Sequence, residues 1–251
     1  YRTKEKIMET VSEQQIIERI KNKEVFTAQI DTGAFTVSIQ EYSPSICTAI
    51  HDGHRIHDAF EGKMLITEKE RSYEEDPFTG DIVRELPLSI QVVDSRYNYD
   101  LNREPDSCIY DDAWGKKVWK QELIDEEKKR IQQMHSLYYR ILGSLVGKLE
   151  ELFNGCIVYD LHSYNYSRID GEPPLFNLGT HFIDLERFGP VVDHFQRELA
   201  NIKIQGVHNR SVRDEVFWGK GYQARFLREK FPDSLCLPIE VKKVFMAEKS
   251  G

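Results

Sequence analysis

The chain has no apolar run near the ~20 residues that cross a bilayer, so no membrane span is expected. No charged-then-apolar segment of the secretory kind opens it. Its four cysteines, Cys47, Cys108, Cys156 and Cys236, are scattered and form no CxxC pair. That spacing excludes a cysteine-built zinc site and suits a reducing compartment, so the cytoplasm is the expected location. Positive charge is in short supply: 34 Lys and Arg stand against 42 Asp and Glu, a net charge of −8. A nucleic-acid groove is therefore not expected. Internal repeats and low-complexity linkers are missing too. A starting methionine is also missing, and the last residues read "AEKSG", so a processed chain or a piece of a longer one is expected.

What remains is ordinary globular composition: 251 residues, 40% hydrophobic and 30% charged. This is enough for one large domain with a substantial core. Apolar spacing predicts a helix over 5–22, a hairpin around Gly33 over 26–40, and a short strand over 45–56. The charged stretch 67–86 reads as a loop feeding a helix from Pro77 onward. A strand leads into a polar loop over 88–104. A long helix over 121–153 places Leu137, Ile141, Leu145 and Leu149 on one face. "GCIVYDLHS" reads as a strand, 188–202 as a helix, 211–231 as a loop and then a helix, and 234–246 as a closing strand. Strands alternating with helices imply a layered α/β fold.

In such folds sites gather beyond the carboxyl ends of strands. Four strands here end in reactive groups: His51 in "AIHDGH", Arg96 to Arg103 in "SRYNYDLNRE", His162 in "DLHSYN" and Glu240 in "LPIEVKK". Two imidazoles and an acid suit zinc, leaving an open position for water. A carboxylate free of the metal serves as general base, and arginines hold a carboxylate or an oxyanion. That inventory fits metal-assisted amide hydrolysis. Each residue also fits a structural role. His51 and His162 read equally as satisfied buried histidines, and His54 and His57 as turn residues. His135 reads as part of a solvated helix face and Glu240 as an exposed strand residue. Arg96 and Arg103 read as ion-pair partners, and "EEKKR" (126–130) as a solvated helix face.

Several of these segments, in order, resemble the N-formylglutamate amidohydrolase family. They are "IHDGH" (50–54), "SRYNYDLNRE" (95–104), "MHSLYYRILGSLVGKL" (134–149), "DLHSYN" (160–165), "FWGKGYQARF" (217–226) and "LPIEVKKVFM" (237–246). The likeness runs from about residue 45 to 246; residues 1–45 have no counterpart in it. The family is similar in fold to the zinc carboxypeptidases and aspartoacylase. The resemblance implies a three-layer α/β fold, a mixed central sheet with helices on both faces. It also implies one zinc per chain and a small acidic N-acyl amino acid or peptide end as substrate. By this likeness His51 and His162 are metal ligands and Glu240 is the general base. Arg96 stabilises the oxyanion, Arg103 beside Asn102 grips the substrate carboxylate, Ser163 lies in the substrate site, and Tyr222 closes over it. The third ligand is open, because the zinc carboxypeptidases place an acid three residues after the first histidine and this chain has His54 there. The acidic run "YEEDPF" supplies Glu75 as the expected ligand, with Glu74, Asp76 and His54 as rivals. Asp52 stands where the family usually has serine. Two rival functions remain at this stage: a metal-free binding module of the same fold, and an esterase with Ser163 as nucleophile. The second lacks the GxSxG turn such a serine requires.

Overall fold

The computed structural model describes residues 8–244. In chain order the elements are β1 (Glu9–Val11), α1 (Glu13–Lys21), β2 (Phe26–Ile30), β3 (Phe35–Ile39), β4 (Ser45–Ala49), α2 (Glu68–Glu74), α3 (Thr79–Arg84) and β5 (Leu88–Val92). There follow β6 (Asp112–Ala113), β7 (Lys116–Lys117), α4 (Asp125–Phe153), β8 (Ile157–Tyr164), β9 (Phe176–Leu178), α5 (Leu185–Asn201), β10 (Ser211–Arg213), α6 (Tyr222–Lys230) and β11 (Leu235–Lys242). Nine strands form one mixed sheet in the order β1-β2-β3-β5-β4-β8-β11-β9-β10. Its centre, β5-β4-β8-β11, is parallel throughout. No helix among the described residues is long and apolar enough to cross a membrane.

Period-two alternation sorts the central strands onto two faces. Ile46, Val158 and Cys236 pack with α1, α4 and α6 on one side. Ala49, Leu161, Leu237 and Ile239 pack with α3 and α5 on the other. The result is the expected three-layer arrangement. α4 is the main support of the first face. Three acids in its first turn suit the positive end of the helix dipole, and Leu137, Ile141, Leu145 and Leu149 are all buried. Asn154, at φ 59°, ends it in a left-handed turn.

The topology fixes where a site can form. From β4 the chain passes to β5 on one side; β8 lies on the other side of β4, and the chain continues outward from it to β11. The β4/β8 boundary is thus a switch point, where loops leave in opposite directions and open a crevice at the carboxyl ends.

The hairpin predicted at Gly33 forms, with Gly33 at φ 74°. The helix predicted over 5–22 is divided. β1 occupies its beginning, pairing parallel with β2, and Ser12 then starts α1 through a capping box with Gln15. Residues 5–7 of that prediction, and 245–246 of the closing strand, lie outside the described residues. The loop predicted ahead of Pro77 contains α2, because Thr67 and Glu70 form a second capping box. The short strands β1, β6, β7, β9 and β10 have only two or three residues each, too few for alternation to reveal them.

Candidate metal centre and cleft

Strand register brings the first pair of site residues together. β11 runs beside β8 with Glu240 opposite His162, so both side chains stand on the same face of the sheet. β4 lies on the other flank of β8, and the turn just past its end puts the His51 ring 4.9 Å from the His162 ring, centroid to centroid. Asp76 completes the group. Its Oδ2 lies 3.0 Å from His162 Nδ1 and 3.4 Å from His51 Nδ1. One ligand atom from each of these three residues lies within 4.8 Å of the others, and all three residues are buried.

The remaining ring nitrogens are backed by further carboxylates. His51 Nε2 is 2.7 Å from Asp100 Oδ1. His162 Nε2 is 3.1 Å from Asp160 Oδ2, an ion-pair contact without hydrogen-bond alignment. Backing of this kind orients a metal-ligating imidazole and raises its basicity. Asp160 is itself held in place. Its Oδ1 accepts from Thr48 on β4 at 3.1 Å, Thr48 accepts from Gln223 on α6 at 2.8 Å, and Gln223 accepts from Tyr138 on α4 at 2.7 Å. This buried chain ties α4 and α6 to the orientation of His162. Asp100 also accepts from Arg96 at 2.8 Å, from the Asn102 main chain at 2.7 Å and from Tyr110.

The electrostatics follow from burial against these partners. Burial works to raise the Asp76 pKa, but the hydrogen bonds and charges of His162 and His51 outweigh it and hold the carboxyl well below its usual range. Burial likewise opposes charge on His162, and Asp160, Asp76 and Glu240 overcome it, so its pKa lies well above that of a free histidine. Glu240 has less compensation. Burial pushes it up to about 7, although His162 pulls the other way.

The third member of the cluster is Asp76, not the expected Glu75. Glu75 is turned away from the histidines to His54 and Ser95. The cause is local geometry. Glu75 has an extended backbone (φ −70°, ψ 166°), so side chains 75 and 76 point to opposite sides. The Asp76 N–H donates to the His51 carbonyl at 2.9 Å, which sets its carboxylate against both rings. Pro77 favours extended backbone at Asp76, the residue named from the acidic run as a rival to Glu75. Asp52 accepts from Gln91 at 2.8 Å instead of entering the group.

Above the cluster opens a cleft of about 470 Å³ whose walls include Arg96, Asn102, Ser163, Arg168, Glu240 and Lys243. A second lobe of about 250 Å³ shares Asn102, His162 and Glu240 and is closed by residues from Val216 to Gly221. Arg96 Nε and Ser163 Oγ are buried with no hydrogen-bond partner among the described residues. Arg103 is not brought to the lining. Its half-exposed guanidinium lies over the Tyr110 ring, 4.5 Å from its centroid, with Nε 3.9 Å from Asp100 Oδ2. Tyr222 does not cover the cleft either. Its ring packs on Tyr139 and His135, and only its main-chain N–H reaches the site, donating to the Asn102 carbonyl at 3.0 Å. No sequence signal marks Asp100, Arg168 or Lys243 as site residues. Asp160 is legible as a strand-end acid, two residues before His162 on the same strand face.

Asn102 is packed against Gly221, where an added Cβ would fall 1.8 Å from Asn102 Oδ1. Gly221→Ala is therefore expected to expel the Asn102 side chain and destabilise the fold by about 1–3 kcal/mol. Thermal melting, with the KM for a cleft ligand, checks this; an unchanged melting point and KM would show that Asn102 yields freely.

The sheet, its switch-point crevice and the imidazole–carboxylate cluster define an α/β protein with a buried potential metal centre in an open cleft. The sequence model of the N-formylglutamate amidohydrolase family matches residues 43–243, and the chain belongs to that family. It is similar to the N-formylglutamate deformylase of Pseudomonas putida, with 29% identity over 160 residues, a stretch covering 55% of this chain and 59% of that protein. The chain thus matches about three-fifths of that relative's length. Two solved structures share the fold. One is the N-formylglutamate amidohydrolase from Ralstonia eutropha JMP134, with a TM-score of 0.67, 18% identity, and 86% and 88% of the two chains covered. The other is a gene product from Agrobacterium tumefaciens, with a TM-score of 0.69, 16% identity, and 86% and 87% covered.

Proposed function

We propose that this protein hydrolyses the amide of a small acidic N-acyl amino acid of the N-formylglutamate kind, with one zinc ion held by His51, Asp76 and His162. The observation that carries the reading is the convergence of two imidazole Nδ1 atoms and one carboxylate oxygen, each histidine backed by a carboxylate on its other nitrogen. Two imidazoles and a carboxylate are a donor set that fits zinc with a position left open. When bound, zinc would supply Lewis acidity, polarising the amide carbonyl and making water a stronger acid.

The chain's own groups do the rest. Glu240, beside His162 and open to the cleft, takes the proton of the attacking water and delivers it to the leaving nitrogen. Its raised pKa suits both transfers near neutral pH. Arg96, whose Nε is unpartnered, donates to the oxyanion as charge develops there. Ser163 Oγ, also unpartnered and lining the cleft, donates to the substrate. Asn102 orients the substrate from the second lobe, and Arg103 receives one substrate carboxylate by swinging off Tyr110.

The direct assay is release of glutamate from N-formyl-L-glutamate by the zinc-loaded protein. Turnover that stops on chelation and returns with zinc is expected; turnover that survives full chelation would remove the metal from the reading. The pH dependence has a definite sign. Glu240 acts as a base only when ionised, so kcat/KM is expected to fall as pH drops through its pKa. Burial places that pKa at about 7, and a bound dication would draw it lower. An acid limb centred above pH 8 would contradict the assignment.

A further inference from the structure

We infer that Lys243 is the receptor for one of the two carboxylates of an acidic substrate, and that it selects dicarboxylates over N-acyl amino acids with a single carboxylate. The inference takes its substrate from the amidohydrolase reading, whereas the anion site itself rests on geometry alone.

Three Lys and Arg side chains line the main cleft: Arg96, Arg168 and Lys243. Two of them are already committed. Arg96 bonds Asp100 at 2.8 Å, and Arg168 forms a two-pronged pair with Glu74. Lys243 pairs with no carboxylate among the described residues. It donates instead to two main-chain carbonyls, Tyr73 at 3.0 Å and Glu75 at 2.7 Å. An ammonium has three N–H bonds, so one donor is left over. The residue is only 6% exposed. A buried ammonium without a counter-ion is costly unless something supplies the charge, and a substrate carboxylate does so.

The position is also pre-organised. The two carbonyls belong to the end of α2, where a cation is favoured, and they hold the ammonium before any ligand arrives. Lys243 follows Glu240 by three residues at the end of β11. The proposed base and the proposed anion receptor thus sit on one rigid strand end. A substrate with two carboxylates needs two cationic receptors, and a single swinging Arg103 provides one of them.

Kinetics of the zinc-loaded full chain test this, comparing N-formyl-L-glutamate, N-formyl-L-glutamine and N-formyl-L-isoglutamine. The last two each lack one carboxylate. Lys243→Gln is expected to raise the KM for the diacid at least ~10-fold, with kcat nearly unchanged. The penalty should vanish for whichever amide lacks the carboxylate that Lys243 holds, and Lys243→Arg should recover most of the loss. An equal penalty on all three substrates would reduce Lys243 to a cap on α2 and overturn the inference. Because the same bonds position the segment bearing Asp76, bound metal is measured in parallel. If Lys243→Gln sheds metal, calorimetric titration of the metal-free proteins with glutarate decides. Binding weakened at least ~10-fold by the substitution upholds the anion site, and equal binding refutes it. Should the wild-type chain bind glutarate through Lys243 yet hydrolyse none of the three substrates, the anion site stands and the hydrolytic reading falls.

Discussion

His162→Ala is expected to abolish stoichiometric zinc binding. The ring supplies one of three converging ligand atoms, at 3.0 Å from Asp76. Loss of an outer partner of a metal ligand typically costs 10–100-fold in affinity, so loss of the ligand itself should cost more than ~100-fold. The truncation also leaves Asp160 and Asp76 buried without the imidazole they share, so a lower melting temperature is expected alongside. A paired comparison separates ligand loss from general damage. Asp76→Asn should release metal much as His162→Ala does. Glu75→Gln should retain it, because that carboxylate is engaged by His54 and Ser95. Metal content after exhaustive dialysis reads all three. Retention of one equivalent by His162→Ala, or its loss from Glu75→Gln alone, would move the site to the neighbouring acid.

Glu240→Gln is expected to have the largest effect on turnover with the least on structure. The amide matches the carboxylate in shape, and no direct hydrogen bond or ion pair of Glu240 to the cluster is present to be broken. Zinc content and melting temperature should therefore hold. Positioned general bases contribute about 10²–10⁴ in rate, and kcat should fall by that factor. The acid limb of the pH profile should disappear with it, since no residue remains to titrate in that role. A variant that keeps both wild-type kcat and the acid limb would exclude Glu240 as the base.

The strand ends were legible in the sequence for a physical reason. A strand buried on both faces is a short apolar run, and polar residues at its exit stand out against it. His51, His162 and Glu240 were visible in this way, and the sheet does bring them to one edge. The partnership between Glu240 and His162 was not visible, because register between strands 78 residues apart is a tertiary property. The choice between Glu75 and Asp76 turned on one extended backbone step, which composition does not encode. Arg103 was placed by motif, yet its guanidinium rests on Tyr110, an aromatic partner whose proximity depends on how the 95–110 loop folds back. Tyr222 illustrates a similar limit. Its neighbours Val216 to Gly221 line the second lobe, while the tyrosine ring turns to α4 and packs on His135 and Tyr139. Lys243 is one of two adjacent lysines in the sequence, and its carbonyl partners at the end of α2 are a tertiary feature that spacing does not encode.

One cation is proposed to sit between His51, Asp76 and His162. Anomalous diffraction at the zinc absorption edge, from crystals of the zinc-loaded protein, addresses it directly. A single strong peak is expected ~2.0–2.2 Å from both Nδ1 atoms and from an Asp76 carboxylate oxygen. A peak bound instead by His54 and Glu75, or none at the cluster while zinc sits elsewhere on the chain, would contradict it.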